Sequence, residues 1–500
     1  MTVWRAARPS RARRASRPWT LSVALAALAT AQAGCTAGVG ELSVSILVSS
    51  EPDEDPLSRI AAFVRVRVDG PAGRAGPEVF PLRAGGGTIY GVPTGESQVV
   101  TVEGLGPESN PVSRGRTVPI TLGPGANRVA LFVGLIDTFS HVPRRFDDGR
   151  PTGMREARAF HTANLLGDGS VLIAGGTGAA WRPEDAERPL GLRTVTLVDG
   201  NALSADDSTC SGSDQRCLRG ERVAHSATLL PSGNVLIAGG LGGKVPVAST
   251  EVYQATSRTI YPGPPLRQPR FGHGAVLTDQ RILVAGGQGT AGTLSSVEAY
   301  DQGQVNPAPQ LLQARRAFAT VALADGTVVA VGGLDDKGDA LATTETLAPG
   351  AAQWRAGPAL RVARAYATAT RLADGGVLVV GGLTKGGQAT ASVERLDLAA
   401  STSRELGELK LPRWAHTTTA LADDRLLVVG GFASSLTGSP VDLVEELVLG
   451  SATGLNVLPR YRLREARAGH AATLLPSGLL LVTGGLSAER PTASAEVFVP

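Results

Sequence analysis

Aromatic rings, charge of either sign in excess, and long apolar runs are all scarce in this 500-residue chain. Aromatics make up only 4% of it while Gly reaches 63 residues, and the apolar set is dominated by Ala, Val and Leu, a balance suited to many short strands joined by tight turns. The formal charge of +3 is misleading. Residues 1–34 hold six arginines (Arg5, Arg8, Arg11, Arg13, Arg14, Arg17) and no acid, so without them the balance becomes −3. Clustered positive charge of the kind that releases counterions from nucleic acid is therefore missing, and no nucleic-acid partner is expected. The longest apolar stretch, Leu21 to Ala31, is too short to span a bilayer. Also absent are Gly-x-Ser-x-Gly, a paired-carboxylate constellation and His-Glu-x-x-His, which removes the commonest hydrolase signatures.

What the chain does have is one phrase written seven times. It reads Arg, two residues, usually His, then an apolar strand, a tight turn, a second apolar strand and Gly-Gly. Clear copies run from Arg158-Ala159-Phe160-His161 to Gly175-Gly176, from Arg222 and His225 to Gly239-Gly240, and from Arg467 and His470 to Gly484-Gly485. The others end in Gly286-Gly287, Gly332-Gly333, Gly381-Gly382 and Gly430-Gly431. Most lie just under fifty residues apart, a period at which each unit cannot bury its own core and must stack on its neighbours. After each Gly-Gly come a variable loop and a third strand with a Glu two residues before an apolar or aromatic side chain, as in Glu251-Val252-Tyr253, Glu298, Glu345, Glu394 and Glu496. A fourth strand then leads to the next Arg. Four antiparallel strands per unit make a propeller blade.

The chain stops at Pro500, after the third strand of its last unit. Arg155-Glu156-Ala157-Arg158 matches Arg464-Glu465-Ala466-Arg467, so residues 137–157 are expected to return and supply the missing strand, removing an exposed sheet edge. Upstream, residues 42–136 carry a different pattern. Candidate strands are Leu42 to Val48, Ala62 to Val68, Gly87 to Tyr90, Ser97 to Val102, Val118 to Leu122 and Asn127 to Val133, which predicts a small antiparallel β-sandwich. The acidic stretch Glu51 to Asp55 reads as a loop.

The repeats resemble the kelch family and the kelch-like central domain of galactose oxidase. The resemblance covers residues 137–500 and rests on the apolar strand pairs, the double glycines, Tyr253, Tyr300 and Trp354. It implies an all-β fold, a seven-bladed kelch-type β-propeller preceded by a small Ig-like or carboxypeptidase-regulatory-like β-sandwich. Galactose-oxidase chemistry would need copper ligands and a tyrosine crosslinked to a cysteine, and none of those residues can be placed on this sequence; no cofactor and no metal are expected. A sialic-acid-mutarotase-like activity, also known on kelch propellers, rests on polar groups at the propeller mouth and stays open.

The leader resembles an export signal. Residues 1–34 combine an Arg-rich start with the apolar run and end in Ala33-Gly34 before Cys35, similar to the lipobox of bacterial lipoproteins, in which the cysteine takes lipid. Gln32 stands where that motif carries Leu, which leaves ordinary cleavage near Ala33 open. On the lipoprotein reading Cys35 becomes the lipidated N-terminus, residues 35–41 form a tether, and acyl chains hold the protein at the cell envelope, at the outer membrane, facing either periplasm or exterior. Cys210 and Cys217 then remain as an even pair in an exported chain, read as a disulfide across a short polar loop.

Two recurring side chains invite functional readings. Arg158, Arg222, Arg270, Arg316, Arg364, Arg413 and Arg467 occur once per unit. They would either pair with third-strand Glu residues of the same or a neighbouring blade and lock blades together, or form a cationic ring at the channel mouth able to hold a carboxylate. Presence in every repeat favours the structural role. His161, His225, His273, His416 and His470 share one position, with Ala319 and Ala367 in two adjacent units, and are read as hydrogen-bonding residues rather than a metal ring, since no carboxylate or thiol stands at ligand spacing. The loops after Gly-Gly vary, from Thr177 to Arg193 with Trp181, through Leu334 to Lys337, to Phe432 to Pro440, as a binding face would. The expected function is thus a non-catalytic, envelope-anchored protein binding a protein or glycan ligand through these loops.

Overall fold

In the computed structural model the described residues are 19–21, 39–49, 62–71, 73–81, 88–142, 153–182, 190–211, 215–279, 281–421, 425–450, 454–488 and 490–500. They form no helix, only strands and turns. Cys35, most of the expected leader and the stretch Glu51 to Asp55 lie outside them. Of the leader, Trp19–Leu21 is a short strand paired antiparallel with Val44 to Ile46.

The N-terminal part is two sheets over one apolar core. Alternation drives it: in Phe63–Gly70 the inward Val64, Val66 and Val68 are buried while Arg65 and Arg67 face outward, and Val44, Ile46, Val100, Val102 and Leu131 complete the core from both sheets. The expectation of an antiparallel sandwich is corrected, because Val39–Leu47 runs parallel to Gly125–Phe132 from Gly40 to Leu47. That strand also begins at Val39, inside the expected tether. Three strands of this part escaped the sequence reading, Gly73–Pro81, Pro111–Arg116 and the short Gly134–Leu135. The first holds Gly73, Gly76 and Pro77 and is tolerated because it occupies a sheet edge, where a missing amide proton costs no ladder bond.

From Thr138 onward the described residues build seven four-stranded antiparallel sheets. The innermost strands are Thr162–Leu165, Ser226–Leu229, Gly274–Thr278, Ala319–Ala322, Thr368–Arg371, Thr417–Ala420 and Ala471–Leu474; each contacts the next, and the last contacts the first. We number the sheets 1 to 7 in that order. The second strands are almost wholly apolar and buried, as in Val171–Ala174 and Val377–Val380, because each is covered on both faces by neighbouring sheets. The cores correspondingly mix consecutive sheets. Leu172 of sheet 1 packs with Ile237 of sheet 2, and Val171 and Ile173 of sheet 1 pack with Leu481, Val497 and Val499 of sheet 7. Sheet 7 takes its outer strand, Thr138–His141, from the far end of the sequence, paired against Ala495–Val499.

Each inner strand runs from its Arg-x-x-His phrase on one face of the ring to a hairpin turn on the other. The N-terminal sheets meet the hairpin face: Val118 donates its backbone N–H to Asn201 Oδ1 (2.7 Å), Phe132 donates to the Asn201 carbonyl (2.8 Å), and Val118 lies against Gly169 and Gly200. The double-glycine loops and the channel mouth are on the opposite face.

Candidate functional site

The recurrent arginines turn inward to the blades. Arg158, Arg222, Arg270, Arg364, Arg413 and Arg467 are at most 1% exposed, so they form no cationic ring at the mouth. In sheet 4 the phrase is shifted by one from the expected register. Arg315, fully buried, is the equivalent residue, and Arg316 instead lines the channel mouth. Phe318, not Ala319, then stands at the histidine position. In six sheets the guanidinium meets the third-strand glutamate of its own sheet: Arg222–Glu251, Arg270–Glu298, Arg315–Glu345, Arg413–Glu445 and Arg467–Glu496 at 2.5–2.7 Å, and Arg364–Glu394. The same arginine also donates to the carbonyl of the first glycine, 17 residues on in Arg364 to Gly381. Each glutamate accepts backbone N–H groups from the segment before its arginine, as Arg361 N–H (2.7 Å) and Val362 N–H (3.0 Å) on Glu394. These pairs tie the start of each inner strand to the third strand within one blade; the alternative that they bridge blades is corrected.

Sheet 1 is the exception. Thr196 occupies the glutamate position, and among the described residues the buried Arg158 has only Gly175 O, Thr194 O and Thr194 Oγ1 at 2.8–3.1 Å, with the half-exposed Glu156 at 3.9 Å. Burial pulls its pKa down to about 10 against the raising pull of Glu156 and Asp207. Burial likewise lowers Arg270, Arg315, Arg364 and Arg413, each partly restored by its glutamate.

Blades are joined by two other devices. The second glycine of each sheet donates its N–H to the arginine carbonyl of the next, from Gly176 to Arg222 (2.8 Å) round to Gly485 on Arg158 (2.8 Å). Both glycines have positive φ, and a Cβ on the first would collide with that carbonyl and the following histidine, as at Gly381, 2.6 Å from Arg413 O and His416 Cε1. The histidines form the second device. His225, His273, His416 and His470 share Nε2 hydrogen bonds with the hydroxyls of Thr162, Ser226, Thr368 and Thr417 in the preceding sheet, and His161 with Thr483. Where the histidine is lost the hydroxyl is lost with it: Phe318 faces Gly274, and Ala367 follows Ala319. Burial, reinforced by neighbouring arginine cations, drives His225, His273, His416 and His470 to a pKa of about 3 and lowers His161 as well, so all five are neutral near pH 7.

Between Arg and His in every phrase sits a left-handed residue that the sequence reading passed over: Phe160, Ala224, Gly272, Ala317, Tyr366, Ala415 and Gly469, with φ from 51° to 60°. Backbone bonds run from one to the next, including Phe160 N–H to Gly469 O, Gly272 to Ala224, Ala317 to Gly272, Tyr366 to Ala317 and Gly469 to Ala415, at 2.8–3.0 Å. These residues, the histidines, Phe271, Phe318 and Arg316 enclose a cavity of about 330 Å³ at the channel mouth. Trp181 of sheet 1 packs edge-on against Phe160 (5.4 Å), and Arg182 lies over Phe432 of sheet 6 (4.3 Å) and donates to the carbonyls of Leu436 and Gly438. Cys210 and Cys217 form a disulfide beside the loop in which Gln215 accepts the N–H of Ile260, stitching sheet 1 to sheet 2.

Among the described residues no group of three or more His, Cys, Asp and Glu could hold a metal, and no helix is long and apolar enough to cross a membrane. The Kelch motif family matches residues 269–309. No curated protein matches the chain. Of solved structures, that of YjhT is 13% identical, covering 61% of this chain and 99% of its own at a TM-score of 0.47. A fungal alcohol oxidase of the AA5 family, in complex with copper, is 16% identical and covers 70% of this chain and 76% of its own at a TM-score of 0.56. At that identity the oxidase speaks for the fold alone. The ring of four-stranded sheets, the double glycines and the matched motif together make this chain a kelch-repeat β-propeller.

Proposed function

We propose that the protein is a non-catalytic component of the bacterial cell envelope, held by lipid on Cys35, that binds a protein or glycan ligand through the loop face of its propeller. One observation carries this reading. The N-terminal sheets cover part of the hairpin face, while the double-glycine loops and the channel mouth point the other way, so an anchor reached through residues 35–41 would present the loops outward. Uniform hairpins on one side and dissimilar loops on the other are what a scaffold for recognition offers. The test is an array of acidic and neutral glycans probed with the purified protein, alongside affinity capture from the envelope fraction. Specific binding abolished by altering Phe432 to Pro440 supports the reading; binding indifferent to every loop change refutes it.

A second reading is a carbohydrate-active kelch enzyme of the sialic-acid-mutarotase kind, favoured by the mouth cavity and Arg316. A mutarotation assay on N-acetylneuraminate decides it, since acceleration lost in Arg316→Gln would replace the first reading.

A further inference from the structure

We propose that the cleft between the N-terminal sheets and the turn of sheet 1 binds a short peptide with free ends as an added strand, Arg128 taking its carboxylate and Asp199 its ammonium. The cleft holds about 320 Å³, at the small end of ligand sites, and lies where the N-terminal sheets meet the propeller, a junction of the kind at which such sites are commonly built. Ile120–Leu122, residues 128–130 and the turn residues Asp199, Asn201 and Ala202 line it. One strand edge faces it. Val133 donates its N–H to Leu47 O, on the side of Gly125–Phe132 that pairs with Val39–Leu47, whereas Phe132 donates to Asn201 O on the other side, both at 2.8 Å. Successive amides of an extended strand alternate in direction, so Ala130 and Arg128 point their N–H and C=O groups the way Phe132 does, and among the described residues no strand pairs with them there. The edge strand Gly73–Pro81 is blunted by Pro77 and Pro81, but Gly125–Phe132 carries no proline and no bulge. Such an edge is a template for an incoming strand.

Charge selects the occupant. Arg128 is exposed and makes no side-chain hydrogen bond or ion pair among the described residues. Asp199, also exposed, spends Oδ1 on the N–H groups of Asn201 (2.9 Å) and Ala202 (2.7 Å), and its Oδ2 has no partner among them. Two opposite charges thus line one cleft without meeting. A simple anion would be drawn to Arg128 and opposed by Asp199, and a simple cation the reverse. A molecule carrying both charges satisfies both, and a peptide adds the amides and carbonyls that the strand edge lacks. Ala130 and Ala202 offer no bulk against an approaching backbone. A neutral sugar brings hydroxyls to the edge but neither charge. The cleft lies on the hairpin side, away from the double-glycine loops, so this inference and the proposed function can fail independently.

Calorimetric titration of the full chain with trialanine, and with trialanine acetylated and amidated at its ends, tests it. Trialanine is expected to bind about tenfold tighter than the blocked form, and Arg128→Gln and Asp199→Asn each to weaken it about threefold, the size of an exposed ion pair. Both positions are exposed, and asparagine keeps the Oδ1 that accepts the two turn amides, so the melting temperature should hold. A further readout separates an added strand from mere charge attraction. Hydrogen exchange at the Arg128 and Ala130 amides should slow at saturating trialanine, because the incoming backbone covers them. Blocked peptide binding as tightly as trialanine, indifference to either substitution, amides left unprotected, or no binding of either peptide each overturns the proposal.

Discussion

Replacing Arg364 by alanine removes one of the fully buried cations and leaves its partners behind. Arg364 donates to Val362 O (3.0 Å), Gly381 O (3.1 Å), Ser392 O (2.8 Å), Ser392 Oγ (3.0 Å) and Glu394, and both side chains of the ion pair are fully buried. In the variant Glu394 keeps the Arg361 and Val362 amides and the Ser403 hydroxyl but loses its countercharge. Stripping one partner from a buried pair costs about 3–5 kcal/mol. At roughly 2 °C per kcal/mol for a fold of this size, the melting temperature should fall by about 6–10 °C. Arg158→Ala supplies the control. It is as buried and makes a similar set of carbonyl bonds, yet no buried glutamate faces it, so its removal strands no charge and should cost distinctly less. Adding Glu394→Gln to Arg364→Ala should recover part of the loss, a coupling that calorimetry on the four members of the cycle reads directly. Unchanged melting in Arg364→Ala, or a larger loss in Arg158→Ala, would refute the reasoning.

The histidine ring predicts acid sensitivity. With folded pKa values of about 3 against an ordinary 6.5, the unfolded chain binds the extra protons between those limits, so stability is flat above about pH 6.5 and falls towards pH 3, by up to about 1.4 kcal/mol per pH unit for each histidine. Scanning calorimetry from pH 8 to 4 checks this, and a melting temperature that does not move below pH 6.5 contradicts it. Copying the natural exception, Phe318 over Gly274, by combining His416→Phe with Thr368→Gly should shallow that slope. Opening the disulfide with Cys210→Ala and Cys217→Ala should cost about 2–3 kcal/mol for so short a loop, read as faster hydrogen exchange at Ile260, whose N–H bonds to Gln215 O. Cys35→Ala should shift the protein from the detergent to the aqueous phase on partitioning; retention in detergent would remove the lipid anchor from the proposed function.

Periodicity alone determined the propeller, because a unit repeated seven times with buried second strands has no way to cover itself except by stacking on copies of itself. The closing strand was legible for the same reason, since Arg155 to Arg158 repeats Arg464 to Arg467 and marks where the ring must resume. Side-chain roles depended on register and distance. Two adjacent arginines, Arg315 and Arg316, look interchangeable in the sequence, and only packing decides that one is sealed against Glu345 while the other lines the cavity. The glutamate near the start of the third strand, present in every sheet but the first, could be matched to an arginine by eye, but whether it belonged to the same blade or the next is a question of strand geometry. The parallel pairing of Val39–Leu47 with Gly125–Phe132 joins segments far apart in sequence, and alternation of apolar residues carries no information on strand direction. The left-handed ring was hidden because Phe160 and Tyr366 are residues that such backbone disfavours, and only closure of the circle, by hydrogen bonds from blade to blade, holds them there.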